Sequence, residues 1–199
     1  MRALSVVAGA LLVSALGAHA MDEEGLALLF KERGHGPSLA TTFGELPDSR
    51  QRNALLVAGT VGQMVGQRWV SVALRITRVE SGYRCEAKNR RSGAEGLGQL
   101  MFGSARALEP GSEWHRSDCQ TGARLIALHM RACVASGVTT DQQMAECHVA
   151  GPHGWRNRLA HWAQKYKLAY ARMVDQAVPI RVADANGWLV RGTTSIREN

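Results

Sequence analysis

Glu80 stands in an unusual setting for a charged residue. From Gln67 onward, Trp69, Val72, Ala73, Ile76 and Glu80 recur at i, i+3, i+4, i+7 and i+11, which is one face of a helix. Eleven residues at about 100° each return to within about 20° of the starting direction, so the Glu80 carboxyl projects along the same stripe as Trp69 and Ile76. Ser81-Gly82 then predicts the helix end and leaves Glu80 in the last turn, where the helix dipole disfavours a negative charge. Apolar neighbours disfavour the charged form as well. A carboxyl that keeps its proton near neutral pH is what general-acid chemistry requires.

The residues after Glu80 have a different character. Residues 83–103 are rich in Gly, Ser, Asn and Arg and read as a loop or small irregular lobe, in which the spacing of Gly93, Gly96 and Gly98 lets backbone approach a ligand closely. Tyr83, Trp114 and Trp155 offer flat apolar faces with polar tips that suit a cleft, whereas Trp69, Trp162 and Tyr166 fall at core positions. Arg84, Lys88, Arg90 and Arg91 form a basic cluster suited to polymer carboxylates, and no nucleic-acid motif accompanies it.

The elements that must position these groups follow from composition and periodicity. At 45% hydrophobic and 21% charged, the 199-residue chain sits near the globular average, which excludes wholesale disorder, collagen-like repeats and a coiled-coil rod. Residues 1–20 read as a secretory signal peptide: Arg2 supplies the positive end, Ala3 to Gly17 the apolar run, and Ala18-His19-Ala20 the small-residue cleavage site. That run is too short to cross a bilayer as a helix, and no later stretch is uncharged for long enough, so no transmembrane segment is expected. The formal charge of +7 loses only Arg2 on processing, and a basic exported protein is drawn to anionic envelope polymers rather than to nucleic acid.

Cys85, Cys119, Cys133 and Cys147 form an even set, which in an exported chain favours two disulfides over catalytic thiols. Cys133 and Cys147 flank a predicted helix-to-helix turn, so the favoured pairing is Cys133 with Cys147 and Cys85 with Cys119. A metal site on Cys147, His148 and His153 has neither CxxC nor HExxH spacing behind it, and no metal or organic cofactor is expected.

Residues 21–33 carry early acids and late bases, the charge order a helix dipole prefers, and 34–47 reads as a linker. A helix starting at Asp48 takes Asp48 or Ser49 as its cap, with Gly59, Gly62 and Gly66 weakening its continuity. Further helices are predicted over about 122–134, 141–149 and 156–177, the last with Leu159, Trp162, Ala163, Tyr166, Tyr170, Met173 and Val174 on its stripe. No run of alternating strand character appears between Met21 and Val178, and the fold class is mostly α. The expected organisation is a signal peptide over 1–20, a helical extension over 21–64, a single principal domain over 65–178 and a tail over 179–199.

Val79 to Met101 reads VESGYRCEAKNRRSGAEGLGQLM and resembles the soluble lytic transglycosylase (SLT) domain, a goose-type-lysozyme-like family. The likeness lies in Glu80-Ser81 ending a helix and, after an interval, in Gly93 to Met101, which is similar to the family's GAxGLxQ(L/M) stretch. Gly122-Ala123-Arg124-Leu125 resembles the start of a following family helix, and Ala150-Gly151-Pro152 resembles the end of its AxYNAGP motif. Roughly residues 65–175 are covered.

The resemblance implies a lysozyme-like fold that cleaves peptidoglycan glycan strands between N-acetylmuramic acid and N-acetylglucosamine, leaving 1,6-anhydro-muramoyl ends. It implies Glu80 as the sole catalytic residue, general acid and then base. Ser81, Leu97, Gln99, Met101 and His148 would be substrate-binding, with Tyr83 lining the sugar cleft. In the chain, His148 and Val149 stand where the family motif has tyrosine and asparagine. A neutral imidazole can replace the tyrosine as a hydrogen-bonding neighbour of the acid, whereas a charged one would oppose it, so His148 is expected to be neutral. Structural roles compete at these positions: Gln99 capping a loop, Ser81 capping backbone, His148 packed in the core, Gly96 and Gly98 permitting a tight turn.

Two other functions stand beside this one. A catalytically weak or inactive peptidoglycan-binding accessory of an envelope or secretion assembly would account for the His148-Val149 departure. A hydrolysing muramidase would need a second carboxylate about 5 to 9.5 Å from the first. Glu86, Glu95, Glu109 and Asp118 are the candidates, and each reads more readily as a solvated charge. The expected partners are glycan strands and envelope or secretion-system proteins, and the expected location is the periplasm or cell envelope.

Overall fold

A computed structural model of the chain describes residues 46–157 and 161–177, the side chains of 161–163 excepted. The proposed signal peptide, the helix expected over 21–33, the tail beyond 178 and the side chains of Leu159, Trp162 and Ala163 lie outside the described residues. Six α-helices follow in order: α1 (Asp48–Met64), α2 (Val70–Ser81), α3 (Phe102–Leu108), α4 (Cys119–Ala135), α5 (Asp141–Ala150) and α6 (His161–Gln176). Among the described residues there is no strand, only two isolated antiparallel bridges, Lys88 with Glu95 and Glu95 with Leu100. The class is mostly α.

Helix α2 lies in the core of the described residues. All of its residues except Ser71, Arg75 and Val79 are buried, as befits a helix packed on several sides at once. Helices α1, α4, α5 and α6 contribute to the same apolar core, through Val57 and Val61, Ile126 and Met130, Met144 and Ala145, and Tyr170 and Val174 respectively. The short turn Gln67–Trp69 leads into α2, and Gly82 ends it with φ 57, donating its N–H to the Arg78 carbonyl at 3.0 Å.

The expected division between an extension ending at 64 and a domain starting at 65 falls inside this core, because α1 buries Ala54, Val57, Ala58 and Val61 against it. Pro47, not Asp48 or Ser49, holds the cap position of α1, and its carbonyl accepts from the Arg50 and Gln51 N–H groups. The helix continues through Gly59 and Gly62 because packing of the apolar face outweighs their poor helix propensity. Helices α4 and α5 are capped by side chains: Asp118 accepts from Thr121 N at 2.8 Å, and Thr140 with Gln143 forms a capping box. Among the described residues, no helix is long and apolar enough to cross a membrane.

Two disulfides cross-link the fold, Cys85 to Cys119 and Cys133 to Cys147, the favoured pairing. The first fastens the loop after α2 to the start of α4. The second joins α4 to α5 across 14 residues, a closure worth about 3 kcal/mol on the chain-entropy account.

Candidate active site

The loop between α2 and α3 is held in place from the outside by a buried arginine. Arg116 donates from Nη1 to the carbonyls of Gly93 at 3.1 Å and Leu100 at 2.9 Å, and from Nη2 to Glu95 at 3.1 Å. Ser117 adds a short hydrogen bond to the other Glu95 oxygen, and Lys88 lies 3.7 Å from the carboxylate. Backbone contacts complete the loop: Gly96 N–H donates to Ala87 O at 2.8 Å, and Glu95 and Leu100 exchange hydrogen bonds at 3.1 and 3.2 Å. Gly96 has φ 83, and a Cβ there would lie 2.0 Å from the Arg116 carbonyl oxygen. At Gly98 a Cβ would lie 2.7 Å from Ile126 Cγ1. These two glycines therefore allow the loop to pack on its own protein; the open approach to a ligand expected of them is taken up by Arg116 and Ile126.

So held, the loop brings Gly98 to the end of α2, and α5 meets both. His148 Nε2 lies 3.1 Å from the Gly98 carbonyl oxygen and 3.5 Å from Glu80 Oε1, with side-chain exposures of 5% for His148 and 4% for Glu80. A carbonyl only accepts, so Nε2 is the nitrogen that bears hydrogen. His148 Nδ1 is buried and has no hydrogen-bond partner among the described residues. The imidazole sits nearly parallel to the Tyr170 ring, centroids 6.0 Å apart, and perpendicular to His129 at 5.3 Å. Burial pushes the His129 pKa down to about 3, with the nearby His148 acting in the same direction and a hydrogen bond to the Cys147 backbone opposing both.

Other residues expected at the site divide by environment. Ser81 Oγ is within hydrogen-bond reach of the Leu97 carbonyl at 2.8 Å and the Thr77 carbonyl at 3.1 Å, so its hydroxyl caps backbone, and Leu97 itself is fully buried. Gln99 adopts φ 48 and donates from Nε2 to the carbonyls of Ala87 at 2.9 Å and Gly96 at 3.1 Å, which is the loop-capping role. Tyr83 does not line a cleft: it is wholly buried, its hydroxyl donates to the Leu74 carbonyl at 2.9 Å, and burial raises its phenol pKa well above the ordinary value against the pull of Arg78. Trp155 is also buried, with its indole N–H on Ser136 Oγ at 2.9 Å. Trp114, 74% exposed, and Met101, 45% exposed, are with Leu55 the exposed large apolar side chains among the described residues, and Phe102 packs edge-to-face with Trp114 at 4.7 Å.

The carboxylates weighed as partners of Glu80 have other work or other places. Glu95 belongs to Arg116, Ser117 and Lys88; Glu109 pairs with Arg124 at 2.9 Å; Glu86 is exposed. Asp118 caps α4, and the Thr121 backbone hydrogen bond holds its pKa below the usual carboxylate range. Arg116 and His129 escape a reading of the sequence, since neither belongs to a spaced motif. His129, Cys133 and Cys147 offer ligand atoms within 4.8 Å of one another, but the two sulfurs are bonded to each other, which leaves one imidazole nitrogen as a ligand. Two surface hollows of about 390 and 350 Å³ lie elsewhere, one beside Arg75, Asp141 and Asp175 and the other beside Thr140, Glu146 and Trp155.

No protein-family model matches the chain, and no curated protein or solved structure is significantly similar to it. The site is therefore read from its own chemistry: a desolvated carboxyl with one imidazole N–H beside it, at the junction of a core helix, a pinned loop and a cross-linked helix.

Proposed function

We propose that the chain is an exported peptidoglycan lytic transglycosylase in which Glu80 is the general acid and then the base. The observation that carries this reading is the burial of Glu80 at the end of α2, where its carboxyl is 4% exposed and faces His148 Nε2 at 3.5 Å, while Glu95, Glu109 and Asp118 are engaged in structural contacts of their own. Desolvation favours the protonated carboxyl, which can deliver its proton to the glycosidic oxygen as the bond to the muramoyl C1 breaks. The resulting carboxylate takes the proton of the muramoyl 6-hydroxyl while O6 bonds to C1, closing the anhydro ring. Water takes no part, so one carboxyl suffices. The two disulfides support an oxidising compartment, and the basic chain suits the anionic wall.

A catalytically weak or inactive wall-binding accessory is the second reading. It is favoured by the burial of Glu80 and by surface hollows that Glu80 does not line. Mass spectrometry of purified peptidoglycan incubated with the protein and with Glu80→Gln separates the readings. Anhydro-muropeptides lost in the variant support the transglycosylase. Reducing-end products point to hydrolysis, and retained glycan binding without products points to the accessory.

A further inference from the structure

The His148 imidazole makes one described hydrogen bond, to Gly98 O, and its Nδ1 has none. A single bond does not fix a five-membered ring against rotation about its own attachment: turning it over would exchange Nε2 for Cε1 at the Gly98 carbonyl and at Glu80, losing both polar contacts. Packing must supply the rest of the restraint. Two rings provide it, Tyr170 nearly parallel at an interplanar angle of 16° and His129 perpendicular at 87°. His129 is itself placed by the cross-link, because Cys133 lies one helical turn after it on α4 and Cys147 immediately precedes His148 on α5. The disulfide thus sets the relative height of the two helices at the level where the imidazoles meet, and His129 Nε2 sits 3.7 Å from Cys133 Sγ.

We propose that His129 is a positioning residue, whose ring holds the His148 imidazole with Nε2 toward the Gly98 carbonyl and Glu80. Its role is packing rather than proton transfer: it is buried, and the imidazole nitrogen that approaches the Glu80 carboxyl belongs to His148. The depressed pKa of His129 agrees with this, since an imidazole that stays uncharged adds no positive field beside the acid. The inference rests on Glu80 being the acid for its effect on turnover, but its effect on the His148 ring stands apart from that reading.

Two variants separate ring packing from hydrogen bonding. His129→Phe keeps an aromatic ring and removes the nitrogens; His129→Gln removes the ring and keeps an amide able to reach the Cys147 backbone. Nitrogen-15 NMR of the histidines reads the tautomer and order of His148 directly, and anhydro-muropeptide release reads turnover. The expected result is a single Nε2–H tautomer in the wild type and in His129→Phe, and mixed tautomers in His129→Gln. Turnover should fall about 10- to 100-fold in His129→Gln with KM little changed, and stay within about threefold in His129→Phe. Unchanged His148 signals in His129→Gln would overturn the proposal, as would equal disturbance in both variants, which would assign the effect to the nitrogen atoms. If the wild type releases no anhydro product, the transglycosylase reading fails while the NMR comparison still decides the positioning role.

Discussion

His148 Nε2 sits between the Gly98 carbonyl oxygen, to which it is hydrogen-bonded at 3.1 Å, and Glu80 Oε1, 3.5 Å away, so the imidazole that docks on the glycine loop also approaches the buried acid. Under the transglycosylase reading the Nε2 hydrogen serves Glu80 most when the carboxyl has given up its proton, because a hydrogen bond to a carboxylate is stronger than one to the neutral acid.

His148→Ala removes this imidazole and leaves Glu80 in place. Release of anhydro-muropeptides should fall about 100-fold, the range for loss of a group assisting proton transfer, whereas in the Glu80→Gln background the same change should cost little more than Glu80→Gln alone. Steady-state kinetics on the four proteins of that cycle check the coupling. Additive losses would mean that the two side chains act separately.

Arg116→Met tests whether the loop is pinned as described. It removes hydrogen bonds to Gly93 O and Leu100 O and leaves the Glu95 carboxylate without its guanidinium, a loss of about 3 to 5 kcal/mol for a broken buried pair. Urea denaturation measures the cost. Trypsin reports on the loop itself, since Arg90 and Arg91 are exposed there and cleavage after them should quicken in the variant.

The two ends of this loop differ in how far the sequence revealed them. The stripe from Trp69 to Glu80 was legible because every member is buried, Trp69 on the turn that leads into α2 and the others on α2 itself, whose end is marked by Ser81-Gly82. Helix α3 was not, because its seven residues include Gly103 and bury only Ala105, too little to leave a periodic trace. Residue type alone also misplaced Tyr83: an aromatic after a helix reads as a cleft wall, but φ 64 turns the chain so that its ring enters the core beneath Leu74. Arg116 looks like any surface arginine until the carbonyls around it are known.

Gly96→Ala and Gly93→Ala form a matched pair. Both positions have positive φ, 83 and 74, so both variants carry the left-handed strain of about 1 kcal/mol. Only at Gly96 does the new Cβ meet backbone, the Arg116 carbonyl at 2.0 Å; the space at Gly93 is open. Gly93→Ala should therefore lose about 1 kcal/mol and Gly96→Ala more than about 3 kcal/mol by urea denaturation. Equal losses would show that strain, and not the Arg116 contact, sets the requirement for glycine.

Stability should fall in mild acid because of His129. Its pKa is about 3 in the folded protein against 6.5 for an ordinary imidazole, with burial as the main cause. The unfolded chain therefore binds a proton near pH 6.5 that the folded protein does not accept until much lower. The stabilisation is whole above pH 6.5 and is lost progressively as the pH falls toward 3, amounting to roughly 2 kcal/mol by pH 5. His129→Phe has no such proton to bind, so its unfolding free energy should decline less between pH 7.5 and pH 5 by about that amount. Urea titrations of both proteins at the two pH values measure the difference. Parallel profiles would mean that His129 takes up its proton in the folded state as readily as in the unfolded chain, and that the space between α4 and α5 admits water.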